Sequence, residues 1–203
     1  MKYVSIDIET TGLNTEQCDI IEFGAVLEDT NTWTGTVEEL PIFHTYILPF
    51  YGRTYRGEPY ALSMHSEILC RIATQEPGED GYMYLEPNEL GSVFSDWLYE
   101  IGLIGQDRDP ITVAGKNFAS FDLQFLNKLP DFSPPIRFNH RYIDPAMLYW
   151  DPLADSRMPN METCLERAGI DKPVLHTAVD DARLVIELLR KRYISIHSMQ
   201  PQK

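Results

Sequence analysis

The residues in this chain that could do chemistry are a few carboxylates and one histidine, starting with Asp7 and Glu9. They lie in KYVSIDIETTGL, where Val4, Ile6 and Ile8 alternate with Tyr3, Ser5, Asp7 and Glu9 in the period-two pattern of a strand. Side chains two apart on a strand share a face, so both carboxylates point the same way. Thr10-Thr11-Gly12 then breaks the pattern as a turn. Two such groups repel unless a cation sits between them, and hard oxygen ligands suit Mg²⁺ or Mn²⁺. A half-exposed strand with its acids on the wet side explains this pair equally well.

Further acids lie downstream. Asp122, in GKNFASFDLQFL, borders the apolar stripe Phe118, Phe121, Phe125 and Leu129, where an acid needs a partner. A metal, backbone groups or solvent at the stripe's edge all satisfy that need. The last helix carries its core stripe at Ala178, Ala182, Val185, Leu189 and Tyr193. At ~100° per residue, Asp180 falls opposite that stripe and reads as a first-turn acid complementing the helix dipole. Asp181 falls at the stripe's border, from which a site on the sheet is within reach. His176 lies one turn before Asp181, at the helix start.

These residues require a scaffold, and the pattern supplies one. Strands are expected at the N-terminus, at Ile20–Leu27 and at Phe43–Leu48, the three forming an antiparallel meander. Helices are expected over Ala61–Ala73, from an Asn88 cap to Ile101, over Phe118–Leu129, near Ala146–Tyr149, over Met161–Ala168 before Gly169, and from Thr177 to Ile194. Ile111–Ala114 reads as a short buried strand and Arg141–Ile143 as another. Gln75–Pro87, rich in Gly, Pro, Tyr and acids, reads as a surface insertion. The organisation is one α/β domain over residues 1–197 with a mixed sheet and a polar tail at 198–203.

Composition narrows the partners. The chain has 203 residues, 43% hydrophobic and 24% charged, enough to bury a sizeable core. No apolar run approaches the ~20 residues of a membrane span, and Asp7 and Glu9 interrupt any N-terminal signal core. Cys18, Cys70 and Cys164 are odd in number and widely spaced, which fits a reducing cytoplasm and no zinc site. With 31 acidic against 17 basic residues the net charge is −14, so a bulk basic surface for long nucleic acid is absent. Phosphate contacts are expected to be few and local, with Arg53, Arg56 and Lys116 as the first basic residues to consider.

Taken together, IDIETTGL, AGKNFASFDLQFL and HTAVDDARLV resemble the three motifs of the DEDDh exonuclease superfamily, which includes replicase proofreading subunits, oligoribonuclease and RNase T. The resemblance covers nearly the whole chain in the right order. It implies a ribonuclease H-like mixed five-stranded sheet flanked by helices. It also implies Asp7, Glu9, Asp122 and Asp181 as ligands of two Mg²⁺ or Mn²⁺ ions, with His176 as general base. The H-x₄-D spacing selects Asp181 over Asp180, as the helix geometry does.

The implied activity is metal-dependent 3′→5′ hydrolysis of single-stranded or short DNA or RNA to nucleoside 5′-monophosphates. Asp7, Glu9 and Asp181 would form the tighter metal site, with Asp7 bridging and Asp122 serving the second ion. Thr10, Thr11, Gly12 and Leu13 would contact the terminal nucleotide, Leu13 packing on its base. His65 and Asn117 join them as substrate-binding candidates. Phe118 and Phe121 offer rings for stacking, although at least one reads better as a core aromatic. Two other readings are a proofreading or repair exonuclease with a polymerase partner, and a non-catalytic acidic mimic of nucleic acid. A homodimer is also compatible. The presence of all five active-site residue types argues against the mimic.

Overall fold

A computed structural model describes residues 1–31, 35–75, 77, 83–105, 109–133 and 135–198. Among the described residues, five strands make one sheet: β1 (Lys2–Thr10), β2 (Ile20–Asp29), β3 (Ile42–Ile47), β4 (Tyr84–Leu85) and β5 (Val113–Ala114). Their order is β4-β3-β2-β1-β5, with β1, β2 and β3 antiparallel and the two short edge strands parallel to their neighbours. The mixed α/β sheet and the N-terminal meander are as expected.

Period-two alternation sends the two sets of β1 side chains to different layers. Val4, Ile6 and Ile8 join Phe23, Phe43 and Ile47 beneath α3 (Leu90–Glu100) and the short α4 (Asp122–Leu126). On that side Phe23, Phe43 and Phe94 meet with ring centroids 4.9–5.8 Å apart, a spacing at which aromatic pairs attract. The odd-numbered residues face α7 (Ala178–Ser198), whose Ala182, Val185, Ile186 and Leu189 pack with Tyr3, Val26 and Ala114. Tyr3 and Ser5 are fully buried, so this face of β1 is a second core and not a wet side. Asp7 and Glu9 are therefore carried into the interior by a strand covered on both faces.

Two local features bring α7 onto the sheet. A Cβ on Gly24 would lie 2.5 Å from Ala178 C and Val179 N, so only glycine lets the start of α7 approach β2 here. Gly24 pairs directly with Asp7 in the β1–β2 ladder. Three turns along α7, Arg190 grips Glu28 of β2 with Nε and, at 3.0 Å, with Nη2. Such a two-pronged guanidinium–carboxylate pair fixes rotation as well as distance.

Several expectations change. The expected helix over Ala61–Ala73 is two helices, α1 (Pro59–Met64) and α2 (Ser66–Thr74), interrupted at His65. The expected insertion at Gln75–Pro87 contributes β4: Tyr84 and Leu85 pair with Tyr46 and Ile47, although residues 76 and 78–82 lie outside the described set. Asn88 is not the cap of α3; Glu89 precedes the helix and its carboxylate accepts the Glu86 N–H at 2.9 Å. The helix expected over Phe118–Leu129 shrinks to α4, because Asn117 adopts φ +60 and starts a turn that ends only at Phe121. Arg141–Ile143 supplies one bridge, Ile143 to Ala114, rather than a strand. Helices α5 (Ala146–Tyr149) and α6 (Met161–Ala168) fall where expected, and α7 continues to Ser198, past the expected domain end at residue 197. Residues 199–203 of the expected tail lie outside the described set.

Candidate active site

Segments distant in sequence converge at the end of β1. The N–H of Ile8, between the two acids of that strand, donates to Asp122 Oδ1 at 3.1 Å. Asp122 is thereby aimed across the strand at Asp7 and Glu9. Glu9, Asp181 and His176 each offer a ligand atom within 4.8 Å of the others. The structure thus brings Asp7, Glu9, Asp122, Asp181 and His176 together. Asp180 turns aside, accepting Thr177 Oγ1 at 2.7 Å and Arg183 Nη1 at 3.3 Å.

Burial makes this cluster electrostatically costly. Two unit charges 4 Å apart interact by roughly 1 kcal/mol in water and about 4 kcal/mol at an effective dielectric of 20. Without a cation the acids respond by holding protons. Burial, followed by Asp181, Glu22 and Asp122, pushes Glu9 up to about 9. Burial raises Asp122 to about 7, and burial with Asp180 and Glu22 raises Asp181 to about 7. Asp7 is raised well above its ordinary value by burial and by Asp122, Glu9, Asp181 and Glu22. Among the described residues Asp181 Oδ1, which is buried, has no hydrogen-bond partner. A buried acceptor left unpaired costs about 1–3 kcal/mol, and a divalent cation among oxygen donors removes that cost. The donor set fits a hard cation held by carboxylates, with His176 near enough to be a ligand or a base.

Glu22 is a residue of this site that the sequence pattern does not single out. It stands opposite Glu9 in the β1–β2 ladder and is 2% exposed. Its Oε2 accepts the Ala178 N–H at 3.0 Å, and its Oε1 lies 2.6 Å from His44 Nε2. It therefore ties the first residue of α7, three before Asp181, to the strand beside Glu9. The available signal was a single carboxylate inside the apolar run IIEFGAVL.

His65 is buried, with Nε2 at 3.3 Å from Glu9 Oε2. Burial and nearby His176 lower its pKa, while Glu9 is raised, so in the metal-free protein the two meet as neutral neighbours rather than an ion pair. A cavity of about 440 Å³ beside His176 is lined by Glu22, His44, His65 and Arg183. His176 itself is exposed and takes φ +53, a left-handed turn immediately before α7.

The turn after Glu9 is locked by its own hydroxyls. Thr10 Oγ1 donates to Gly12 O at 2.8 Å; Thr11 Oγ1 donates to Arg56 O at 2.5 Å and accepts the Asp19 N–H at 2.8 Å. A Cβ on Gly12 would meet Cys18 Sγ at 2.7 Å, so the turn has no room for a side chain there. Leu13 projects from it with 74% exposure. Asn117 is exposed, and its N–H donates to Asp144 Oδ2 at 3.0 Å. Phe118 is a core residue against Phe138 and Tyr142, so its ring has no face open for a base; Phe121 is half-buried against Phe125. Arg53 and Arg56 are exposed, and among the described residues Lys116 Nζ reaches Asn117 Oδ1, at 3.0 Å.

The exonuclease family described as RNase T matches residues 4–67, the span that holds Asp7, Glu9 and His65. That match makes the N-terminal third of the chain similar to exonucleases. No curated protein matches the sequence. Among solved structures, cell-death related nuclease 4 superposes with a TM-score of 0.61 at 15% identity, covering 96% of this chain and 64% of that one. E. coli exonuclease I in complex with a dT13 oligonucleotide gives 0.60 at 14% identity, covering 97% of this chain and 42% of that one. A full-length 3′-exonuclease gives 0.62 at 18% identity, over 97% and 82%. The chain thus spans less than two thirds of the first two, and at these identities the likeness is one of fold. That fold is the ribonuclease H-like mixed sheet flanked by helices.

Proposed function

We propose that this protein is a divalent-cation-dependent 3′→5′ exonuclease acting on single-stranded or short nucleic acids and releasing nucleoside 5′-monophosphates. The observation that carries this reading is the convergence of four raised-pKa carboxylates from β1, α4 and α7, with a buried Asp181 oxygen left unpartnered. The family match over residues 4–67 supports it.

Asp7, Glu9 and Asp181 would hold one ion, with Asp7 shared, and Asp122 would help hold a second. When bound, Mg²⁺ or Mn²⁺ supplies charge neutralisation at the scissile phosphate and a more acidic bound water. The chain's own residues supply the rest. His176, exposed at the lip of the cluster, takes the proton from the attacking water as general base. His65 holds the Glu9 carboxylate in place, and Glu22 holds the start of α7. The rigid turn from Thr10 to Gly12 presents exposed Leu13 to the terminal base, which an apolar side chain can cover without choosing among bases.

The test is a pair of matched single-stranded DNA and RNA oligomers labelled at the 5′ end, incubated with Mn²⁺. A ladder shortening from the 3′ end, with 5′-monophosphates released, is the expected result. Immediate appearance of a labelled mononucleotide, or internal cuts only, contradicts the reading.

A further inference from the structure

A cleft outside the carboxylate cluster is lined by Lys116 and Arg157. It has a volume of about 500 Å³ and runs between the turn at Lys116–Asn117 and the loop around Arg157, with Thr163 of α6 at its side. Arg157 is exposed and has no ion-pair partner among the described residues. Among the described residues Lys116 likewise reaches no carboxylate, only the Asn117 amide. A chain with 31 acids and 17 bases has no shortage of carboxylates, so two unpaired cations on one cleft are not explained by scarcity.

The carboxylate that does line the cleft is already occupied. Asp155 takes both Arg167 nitrogens, Nη1 at 2.5 Å and Nη2 at 2.7 Å, and that grip holds it at about 2. Arg167 also donates to Tyr149 O at 2.6 Å, and Asp151 closes the loop through the Asp155 N–H at 2.8 Å. The loop that presents Arg157 is therefore braced against α6 before any ligand arrives, which lowers the ordering cost of binding.

Position says which part of a ligand belongs there. Gly115, the residue before Lys116, packs against β1 so closely that a Cβ would lie 2.8 Å from Ile6 O, next to Asp7. Lys116 thus leaves the carboxylate cluster on the β5 side of β1. The turn from Thr10 to Leu13 leans the other way, onto Asp19, Arg56 and Glu58 on the β2 side. If the terminal nucleotide occupies that turn, the rest of the strand must leave over β5. Building on the exonuclease reading, we infer that Lys116 and Arg157 form a subsite for a phosphodiester on the 5′ side of the scissile bond, gripping a single strand by its backbone.

The experiment uses the full chain in two measurements. The first follows binding of a labelled single-stranded oligomer in chelator between 50 and 200 mM salt. Each lost contact to single-stranded phosphate lowers the slope of log affinity against log salt by ~0.7, so Arg157→Gln is expected to reduce the slope by about that amount and Lys116→Gln to do the same. The second compares kcat/KM for the oligomer with that for thymidine 5′-monophosphate p-nitrophenyl ester, which has no phosphate upstream of its scissile bond. In both variants the ratio of oligomer to ester is expected to fall, chiefly through KM for the oligomer. Wild-type slope and ratio in both variants, with melting temperatures unchanged, would overturn the subsite. A wild type that cleaves neither substrate would count against the exonuclease reading, while the salt slope still decides the subsite.

Discussion

Asp122 Oδ1 accepts the N–H of Ile8, the peptide between Asp7 and Glu9, at 3.1 Å. This bond ties a helix start more than a hundred residues away to the strand that bears the other acids, so under the proposed function one side chain has both a structural and a chemical duty. Substitution separates them. Asp122→Asn keeps an acceptor for Ile8 and removes a repelling charge, so its metal-free melting temperature should match or exceed wild type while hydrolysis collapses. Asp122→Ala also strands a buried N–H, at about 1–3 kcal/mol. Its melting temperature should therefore fall well below that of the Asn variant, by thermal denaturation. Equal melting of the two variants would mean that the bond contributes nothing.

The raised carboxylates set the sign of the pH response. Their ordinary values are 3.8 for Asp and 4.5 for Glu, against about 7 for Asp122 and Asp181 and about 9 for Glu9 in the fold. Between those limits the folded state binds more protons than the unfolded one, so stability falls as pH rises. The metal-free protein should lose melting temperature steadily from about pH 5 to pH 9. Mn²⁺ should restore it, with a gain that grows with pH, because cations take the deprotonated cluster. A flat or rising metal-free profile by calorimetry would show that the acids are not mutually destabilised.

Glu22 is expected to act through α7. Glu22→Gln leaves an oxygen for the Ala178 N–H and should retain most stability, whereas Glu22→Ala unpairs that N–H and His44 together. The Ala variant should melt at a lower temperature by about 1–3 kcal/mol of stability and lose kcat more than KM, since Asp181 and His176 flank the helix start. If Gln and Ala behave alike in steady-state kinetics, charge rather than the tie to α7 is what matters.

The adjacent acids of α7 give a cleaner contrast. Asp181 is buried with an unpartnered oxygen, while Asp180 is held by Thr177 and Arg183. Asp181→Asn should abolish nearly all hydrolysis, and Asp180→Asn should leave most of it. The reverse order in a rate assay would place Asp180 in the site.

Much of this was legible because it follows from two periods. Period two put Asp7 and Glu9 on one face, and ~100° per residue separated Asp181 from Asp180 before any coordinates. What escaped depended on contacts between distant segments. Glu22 looked like a polar interruption of a buried strand until the start of α7 lay over it. Tyr84 and Leu85 are too few to show alternation, and only pairing with β3 makes them a strand. The break at His65 leaves no propensity signal, because no Gly or Pro marks it. Phe118 could be assigned to core or to base stacking only once Phe138 and Tyr142 were placed against it.

If the four carboxylates work by holding divalent cations, metal occupancy and hydrolysis rise and fall together. Mn²⁺ is titrated by calorimetry into chelator-treated wild type and Asp7→Asn, with hydrolysis of a 5′-labelled oligomer followed at each concentration. Wild type should show no hydrolysis in chelator and a rate that climbs with metal occupancy. Asp7→Asn should lose tight binding and hydrolysis together. Cleavage undiminished by exhaustive chelation, or Asp7→Asn binding Mn²⁺ as wild type does, would contradict that coupling.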